Sequence, residues 1–157
     1  MKNYPRIYSL STLGLIHHYE NDYLFHNMRT DFVGDSGSGK SIIADLLQLI
    51  FVGSEMFESA TRTMDEKREL DGLVLRTPHK GIDIGYAFLN IEIQSRHYIV
   101  IGCYLESNSK RTKPFIIQGS SDPKANLLPI GQPLQTKDFK REGNFCPWDD
   151  LLSQREE

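Results

Sequence analysis

The chain has 157 residues, of which 39% are hydrophobic and 25% are charged, a composition typical of one globular domain. Its 18 Lys and Arg against 21 Asp and Glu give a net charge of −3, which excludes a global basic field for holding DNA. Cys103 and Cys146 lie far apart without metal-ligand spacing, so we expect no disulfide framework and no zinc site. This cysteine usage predicts a location in the reducing cytoplasm. The polar N-terminus and the lack of a long apolar run predict neither a signal peptide nor a membrane-spanning helix.

The first third of the chain predicts strands and then a helix. Three runs rich in β-branched and aliphatic residues, at 7–16, 23–25 and 30–33, predict three strands, and the third ends directly on Gly34. Beyond the Gly-rich segment that follows, apolar residues recur at helical spacing up to a stop at Gly53. This pattern predicts a helix from Lys40 to Val52. Its apolar face consists of Ile42, Ile43, Leu46, Leu47, Ile50 and Phe51.

The rest of the chain predicts a charged connector, a meander of strands and a loop. Residues 54–76 carry mixed charges and predict a loop with a solvated helix. Runs at 82–94, 98–105 and 114–118 are separated by polar turns and predict an antiparallel meander, whose first strand alternates as a half-buried strand does. After Gly119, prolines and glycines predict extended loop rather than packed elements, and 148–157 becomes helix-like.

These elements divide the chain into four parts. We expect a core at about 4–53, a charged connector at 54–81, a β-lobe at 82–119, and at 120–157 a loop followed by the start of a coiled-coil-like helix.

Residues 34–41, GDSGSGKS, fit the phosphate-binding pattern GxxxxGK[ST] between an apolar run and an amphipathic helix. Glycines let the backbone N–H groups point at phosphates, and the helix N-terminus adds partial positive charge. We expect Lys40, the predicted catalytic residue, to contact the β and γ oxygens, and Ser41 to place its hydroxyl on Mg²⁺. The pattern therefore predicts binding of ATP with Mg²⁺. The predicted cofactor-binding residues are Gly34, Asp35, Ser36, Gly37, Ser38, Gly39, Lys40, Ser41 and Ile42.

The alternative is a Gly/Ser turn that matches the pattern by accident, which is expected in about 1% of chains of this length. Hydrolysis makes a further demand, because it also needs a carboxylate on Mg²⁺ and a residue that orients water. Two apolar runs end in an acid, at Glu92 and Glu106, but each is explained more simply as a strand with an outward-facing Glu. We therefore expect this chain alone to be an incomplete ATPase.

The motif and its surroundings resemble the opening of SMC-family ATPases and their double-strand-break-repair relatives. The resemblance rests on 13–15 (LGL), Tyr19 and the run from Thr30 to Asp45, with Ser36 where the family usually has Asn. The later runs 85–92 and 98–102 look like the β-lobe of MukB-like and Wadjet-type SMC proteins. The resemblance implies an α/β fold, namely the N-terminal half-head of an ABC/SMC-type P-loop NTPase with an antiparallel β-lobe.

In that family the Walker B acid and the signature motif follow hundreds of residues later, after a long coiled coil. The resemblance thus implies that the C-terminal half of the same head and a second head, in a homodimer, complete the ATPase. It implies that hydrolysis drives clamping or translocation on DNA, in chromosome maintenance or in defence against plasmids and phages. The resemblance further implies kleisin-like or nuclease subunits as partners, and it implies no interaction with a membrane.

The resemblance also implies roles for residues outside the motif. Gln118 would contact Mg²⁺, and Tyr19, His17 or His18 would pack near the adenine. The residues by themselves are explained more simply as an exposed strand end and a surface loop. A mixed-charge run is usually a solvated face, although DNA contact remains an alternative for the basic clusters. Those clusters contain Arg62, Lys67, Arg68, Arg76, Lys110, Arg111 and Lys113.

Two other functions remain open from the sequence. The first is a stand-alone P-loop phosphotransferase or small NTPase, which requires a catalytic acid within these residues. The second is a non-hydrolysing module in which nucleotide binding sets a partner interface. Phosphate release by the isolated chain distinguishes the first of these from the half-head.

Overall fold

The computed structural model describes residues 3–58, 73–74, 84–107, 112–118 and 132–146, which form one antiparallel sheet covered on both faces. The strands are β1 (Arg6–Leu15), β2 (His18–Leu24), β3 (Ile84–Gln94), β4 (His97–Glu106) and β5 (Lys113–Gln118), in the order β2-β1-β3-β4-β5. Helix α1 (Lys40–Val52) covers one face. A 3₁₀ helix (Thr136–Phe139) and a small hairpin of β6 (Lys140–Arg141) and β7 (Asn144–Phe145) cover the other.

Most of the predicted strands are confirmed. β1 starts and ends one residue before the predicted run, and β3, β4 and β5 form the expected antiparallel meander. β2 is longer than predicted because it pairs with β1 from Leu24 back to a tight turn at Ile16 and His17. β3 also pairs with β1, so the first hairpin and the meander belong to a single sheet.

The expected α/β fold, an ABC/SMC-type P-loop NTPase half-head, is wrong. Within the described residues every paired strand is antiparallel and α1 is the sole α-helix, whereas that fold alternates parallel strands with helices. The run at 30–33, expected to be the strand that leads into the motif, is irregular, and the Val33 side chain is 93% exposed. A strand forms only beside a hydrogen-bonding neighbour, and no described strand pairs with 30–33.

Helix α1 has the predicted bounds, and it ends where Gly53 adopts a φ of 78° and donates its N–H to the Leu49 carbonyl. Its buried residues include Ile43, which packs on Leu10 and Leu89 of the sheet. Burying one such side chain stabilises the fold by about 1.5–3 kcal/mol. Among the described residues, no helix combines the length and the apolar character needed to cross a bilayer.

The opposite face differs from the prediction, because 132–146 is packed rather than extended. Leu134, Phe139 and Cys146 are buried against Tyr86 and Phe88 of β3. β3 is therefore buried on both faces, not on one as its alternation suggested.

Asn90 of β3 explains how this irregular segment is attached to the sheet. Its side chain is fully buried; its amide group donates to the Leu134 carbonyl at 2.8 Å, and its oxygen accepts from the Leu134 N–H at 2.9 Å. The same amide group donates to the Ser9 hydroxyl at 2.7 Å. The predicted connector at 54–81, apart from 54–58 and 73–74, and the predicted helix start at 148–157 lie outside the described residues.

Candidate functional site

Residues 34–41 form a compact curl at the N-terminus of α1. The Ser38 N–H donates to the Asp35 carbonyl at 3.2 Å, and the Ile42 N–H donates to the Gly39 carbonyl at 3.0 Å. Gly37 and Gly39 have φ values of 82° and 90°, in the left-handed region that other residues rarely adopt. The motif therefore folds as a curled loop, which is the conformation that its glycines predict.

The curl borders an open cavity of about 290 Å³. This volume lies at the lower end of the roughly 300–1,000 Å³ of ligand pockets, so it suits a phosphate chain with a metal ion better than a whole nucleotide. The lining residues are His17, Ser36, Gly37, Gly39, Lys40, Ser41 and Ile42.

The electrostatics of the helix start favour an anion in this cavity. Gly39 is the N-cap of α1 and supplies no side-chain hydrogen bond to the helix, and the first turn contains no acidic residue. The amides of Lys40 and Ser41, the first two helical residues, have no acceptor inside the helix. Their N–H groups and the positive end of the helix dipole are therefore available to a phosphate.

The Lys40 ammonium group is held within the loop. It donates to the Gly34 carbonyl, to the Asp35 carbonyl at 2.6 Å and to the Ser38 hydroxyl at 3.3 Å. An ammonium group has three donors, so a phosphate oxygen must replace one of these partners. The Ser38 hydroxyl is the most distant partner and hence the easiest to replace.

The turn between β1 and β2 packs directly against the last glycine of the loop. A Cβ atom on Gly39 would lie 2.8 Å from His17 Cβ and 2.8 Å from His18 Nε2, so a larger residue does not fit there. His18 is 6% exposed, and its Nε2 lies 2.9 Å from the Gly39 carbonyl oxygen. Its Nδ1 lies 2.7 Å from the Tyr23 hydroxyl.

The structure separates the three aromatic candidates for adenine contact. His17 lines the cavity, whereas His18 is buried beneath Gly39. Tyr19 instead packs against Phe145 of β7, with ring centroids 5.4 Å apart. His17 is thus the one of the three that faces the cavity.

Gln118 is not brought to the loop. It pairs with Ile99, and the pairing continues through Ile91 to Ile7 near the start of β1, whereas the loop lies beside the turn after the other end of β1. From strand geometry, Gln118 is separated from the loop by roughly 25 Å along the strands and about 15 Å across them. The arrangement of the described residues keeps Gln118 apart from Ser41.

The two acidic residues at apolar strand ends also lie elsewhere. Glu92 is 2% exposed and accepts from Arg6 Nε at 2.6 Å, so the expectation that it faces outward is wrong. Glu106 is the last residue of β4, and its Oε1 lies 3.9 Å from Nζ of Lys113 on the edge strand β5. Neither carboxylate lines the cavity.

Metal ligands and basic residues can be assessed only for the described part of the chain. There, no group of three or more His, Cys, Asp and Glu side chains is placed to hold a metal ion. Ser41 is the predicted Mg²⁺ ligand that lies on the cavity. Of the basic clusters, Lys113 is described, and it packs over the Tyr104 ring at 5.6 Å; the others lie outside the described residues.

The sequence did not identify Tyr23 as the hydrogen-bond partner of His18, the residue that contacts the Gly39 carbonyl. No short-range pattern signals this arrangement, because the β1–β2 hairpin brings Tyr23 to His18 and His18 to the Gly39 carbonyl. Comparisons with protein-family models, with curated proteins and with solved structures found no match to this chain.

Proposed function

We propose that this chain binds the triphosphate of ATP, together with Mg²⁺, in the cavity beside residues 34–41. The observation that carries the proposal is the coincidence of the full GxxxxGK[ST] pattern with a curled loop, an open cavity and an uncapped helix start. The helix start and Lys40 supply the preference for an anion, and the loop and the cavity supply the space for it. Together they describe a site that suits a phosphate chain.

The residues fit the proposed ligands as follows. The N–H groups of Lys40 and Ser41 and the helix dipole attract the phosphate oxygens. Lys40 exchanges its contact with the Ser38 hydroxyl for a phosphate oxygen, and its positive charge offsets the charge of the triphosphate. Bound Mg²⁺ neutralises phosphate charge, and the Ser41 hydroxyl is the group of this loop that would contact it.

The wider role is proposed on the motif residues that resemble those of SMC proteins, and not on the fold that the resemblance implied, which is wrong. In that proposal the chain is the ATP-binding half of an ATPase that acts on DNA, and the C-terminal half and a second head supply the acid and the signature residues. The competing proposal of a stand-alone phosphotransferase requires a catalytic acid in this chain. Neither Glu92 nor Glu106 lines the cavity, which disfavours these two as that acid.

The direct test is calorimetric titration of the chain with ATP and Mg²⁺. We expect Lys40→Ala to abolish binding, because the substitution removes the positive side chain of the loop. Lys137→Ala is the matched control, since Lys137 is an exposed lysine of the 3₁₀ helix on the opposite face of the sheet. Unchanged ATP affinity in Lys40→Ala would refute the proposal.

The metal component has its own test. Ser41→Ala should weaken ATP binding about tenfold with Mg²⁺ present, because a hydroxyl ligand of the ion is lost, and should leave binding in EDTA nearly unchanged. Equal weakening under both conditions would contradict the role of Ser41 as a metal ligand. Phosphate release by the isolated chain, measured in parallel, would favour the stand-alone enzyme.

A further inference from the structure

We infer that His18 and Tyr23 are positioning residues, which hold the loop 34–41 in its phosphate-binding conformation through a chain of hydrogen bonds that ends on the Gly39 carbonyl. The inference rests on the proposed function and extends it to two residues outside the motif.

The direction of the hydrogen bonds follows from the groups involved. A carbonyl oxygen can only accept, so His18 Nε2 carries the proton in its 2.9 Å contact with Gly39. In a neutral ring Nδ1 then has no proton and accepts from the Tyr23 hydroxyl at 2.7 Å. Burial raises the pKa of Tyr23 above its ordinary value of 10.0, which keeps the hydroxyl protonated and able to donate.

The contact at Gly39 is steric as well as polar. Gly39 has a φ of 90° and lies so close to His17 and His18 that an added Cβ would approach each of them to 2.8 Å. The carbonyl of this residue also accepts from the Ile42 N–H at 3.0 Å, which starts the helix. The hairpin therefore fixes the backbone at the junction between the loop and α1.

The same hairpin also holds the chain that enters the loop. The Tyr23 ring packs edge-on against Phe32, with centroids 5.7 Å apart, and Phe32 lies two residues before Gly34. The Tyr23 ring also packs edge-on against the His18 ring at 5.7 Å. His18 thus contacts the last glycine of the loop and Tyr23 contacts Phe32 just before the loop, while Ser36 and Gly37 are exposed.

This support has a thermodynamic consequence. A segment with glycines at 34, 37 and 39 samples many backbone conformations, and only a curled one presents its amides to a phosphate. The apparent dissociation constant equals the intrinsic one divided by the fraction of molecules in the competent conformation. Losing the bonds to Gly39 lowers that fraction without touching any group that contacts the ligand.

The test compares calorimetric titrations of four variants with ATP·Mg²⁺ and with inorganic tripolyphosphate. We expect about tenfold weaker binding of both ligands for His18→Phe, which keeps an aromatic ring but loses both hydrogen bonds, and about threefold weaker binding for Tyr23→Phe. His18→Gln should recover part of the affinity, because its amide N–H can reach the Gly39 carbonyl. His97→Phe is the matched control, since His97 is exposed, lies at the turn between β3 and β4, and has Nδ1 3.0 Å from the Ser95 carbonyl.

A measurement on the unmodified chain complements the variants. Nitrogen NMR of His18 at pH 8 should show a protonated Nε2 and an unprotonated Nδ1, and the opposite tautomer would overturn the inference. Thermal unfolding shows which variants are folded. If His18→Phe does not fold, the binding affinities of Tyr23→Phe and His18→Gln test the inference instead.

The outcomes separate this inference from the proposed function. If Lys40→Ala abolishes binding while folded His18→Phe or Tyr23→Phe binds as tightly as the unmodified chain, the positioning role is wrong and phosphate binding stands. If the unmodified chain binds neither ATP nor tripolyphosphate, the proposed function itself fails. A folded His18→Gln no better than His18→Phe would also overturn the positioning role.

Discussion

The two faces of the sheet are buried by different means. On one face, the 13-residue helix α1 packs a regular apolar stripe on the strands. On the other, the short segment 132–146 has little regular structure and is tied to the sheet by the side chains of Asn90, which is buried, and Asp22, which is exposed, as well as by aromatic packing. Asn90 bonds to both backbone groups of Leu134, and the carboxylate of Asp22 accepts from the N–H and the hydroxyl of Thr136.

This difference shows what each kind of covering layer requires. A helix satisfies its own backbone groups, so an apolar stripe is sufficient to attach it. An irregular segment leaves backbone groups unpaired, and the sheet must supply partners if the segment is to be buried. We therefore expect the helix face to depend mainly on side-chain volume and the opposite face to depend on volume and specific hydrogen bonds.

The largest expected effects come from removing one large side chain from each face. Phe139 stacks on Phe88 with ring centroids 4.5 Å apart, and Phe139→Ala should lower the free energy of unfolding by about 4 kcal/mol. Leu46→Ala, on the buried face of α1, should lower the free energy of unfolding by about 3 kcal/mol. Denaturant unfolding measures both values, and limited proteolysis should show cleavage within 132–146 first in Phe139→Ala alone. The same early cleavage in both variants would contradict the separation of the two layers.

An effect as large as that of Leu46→Ala should follow from removing the polar attachment. Asn90→Ala leaves the N–H and the carbonyl of Leu134 without their side-chain partner in a buried position, so we expect a loss of about 3 kcal/mol. Asn27→Ala is the control because Asn27 is exposed, and it should change stability by less than about 0.5 kcal/mol. A cost for Asn90→Ala as small as for Asn27→Ala would show that apolar packing suffices on this face too.

The smallest effects are expected from two neighbouring residues of β1, one with a hydroxyl unpaired within the described residues and one with a hydrogen-bonded hydroxyl. The Thr12 hydroxyl is buried without a hydrogen-bond partner among the described residues, opposite Ala87 on the helix side. Thr12→Val should therefore stabilise the protein by about 1 kcal/mol, because it removes an unpaired polar group. Its neighbour Ser11 donates to Asp22, and Ser11→Ala should destabilise by a similar amount. Thermal unfolding of the two variants should give shifts of opposite sign, and shifts of the same sign would contradict this reading.

Local patterns predicted the parts of the structure that depend on local interactions. The helical spacing after Lys40 and the stop at Gly53 gave α1 its bounds, and alternation with polar turns gave the meander β3-β4-β5. The expected strand at 30–33 failed for a non-local reason, since its apolar residues have no neighbouring strand among the described residues. The same limit applies to the fold class, because a motif of eight residues does not specify how distant strands pair.

For the candidate site, the division is similar. The amino-acid sequence alone determined the curled loop, its lysine and serine and the helix that follows, since glycine conformations and helix starts depend on neighbours along the chain. Tertiary structure alone decided that His18 contacts the Gly39 carbonyl, that His17 faces the cavity while Tyr19 does not, and that Gln118 lies far from the loop. The register of a sheet fixes which distant residues meet, and that register results from the packing of both faces at once.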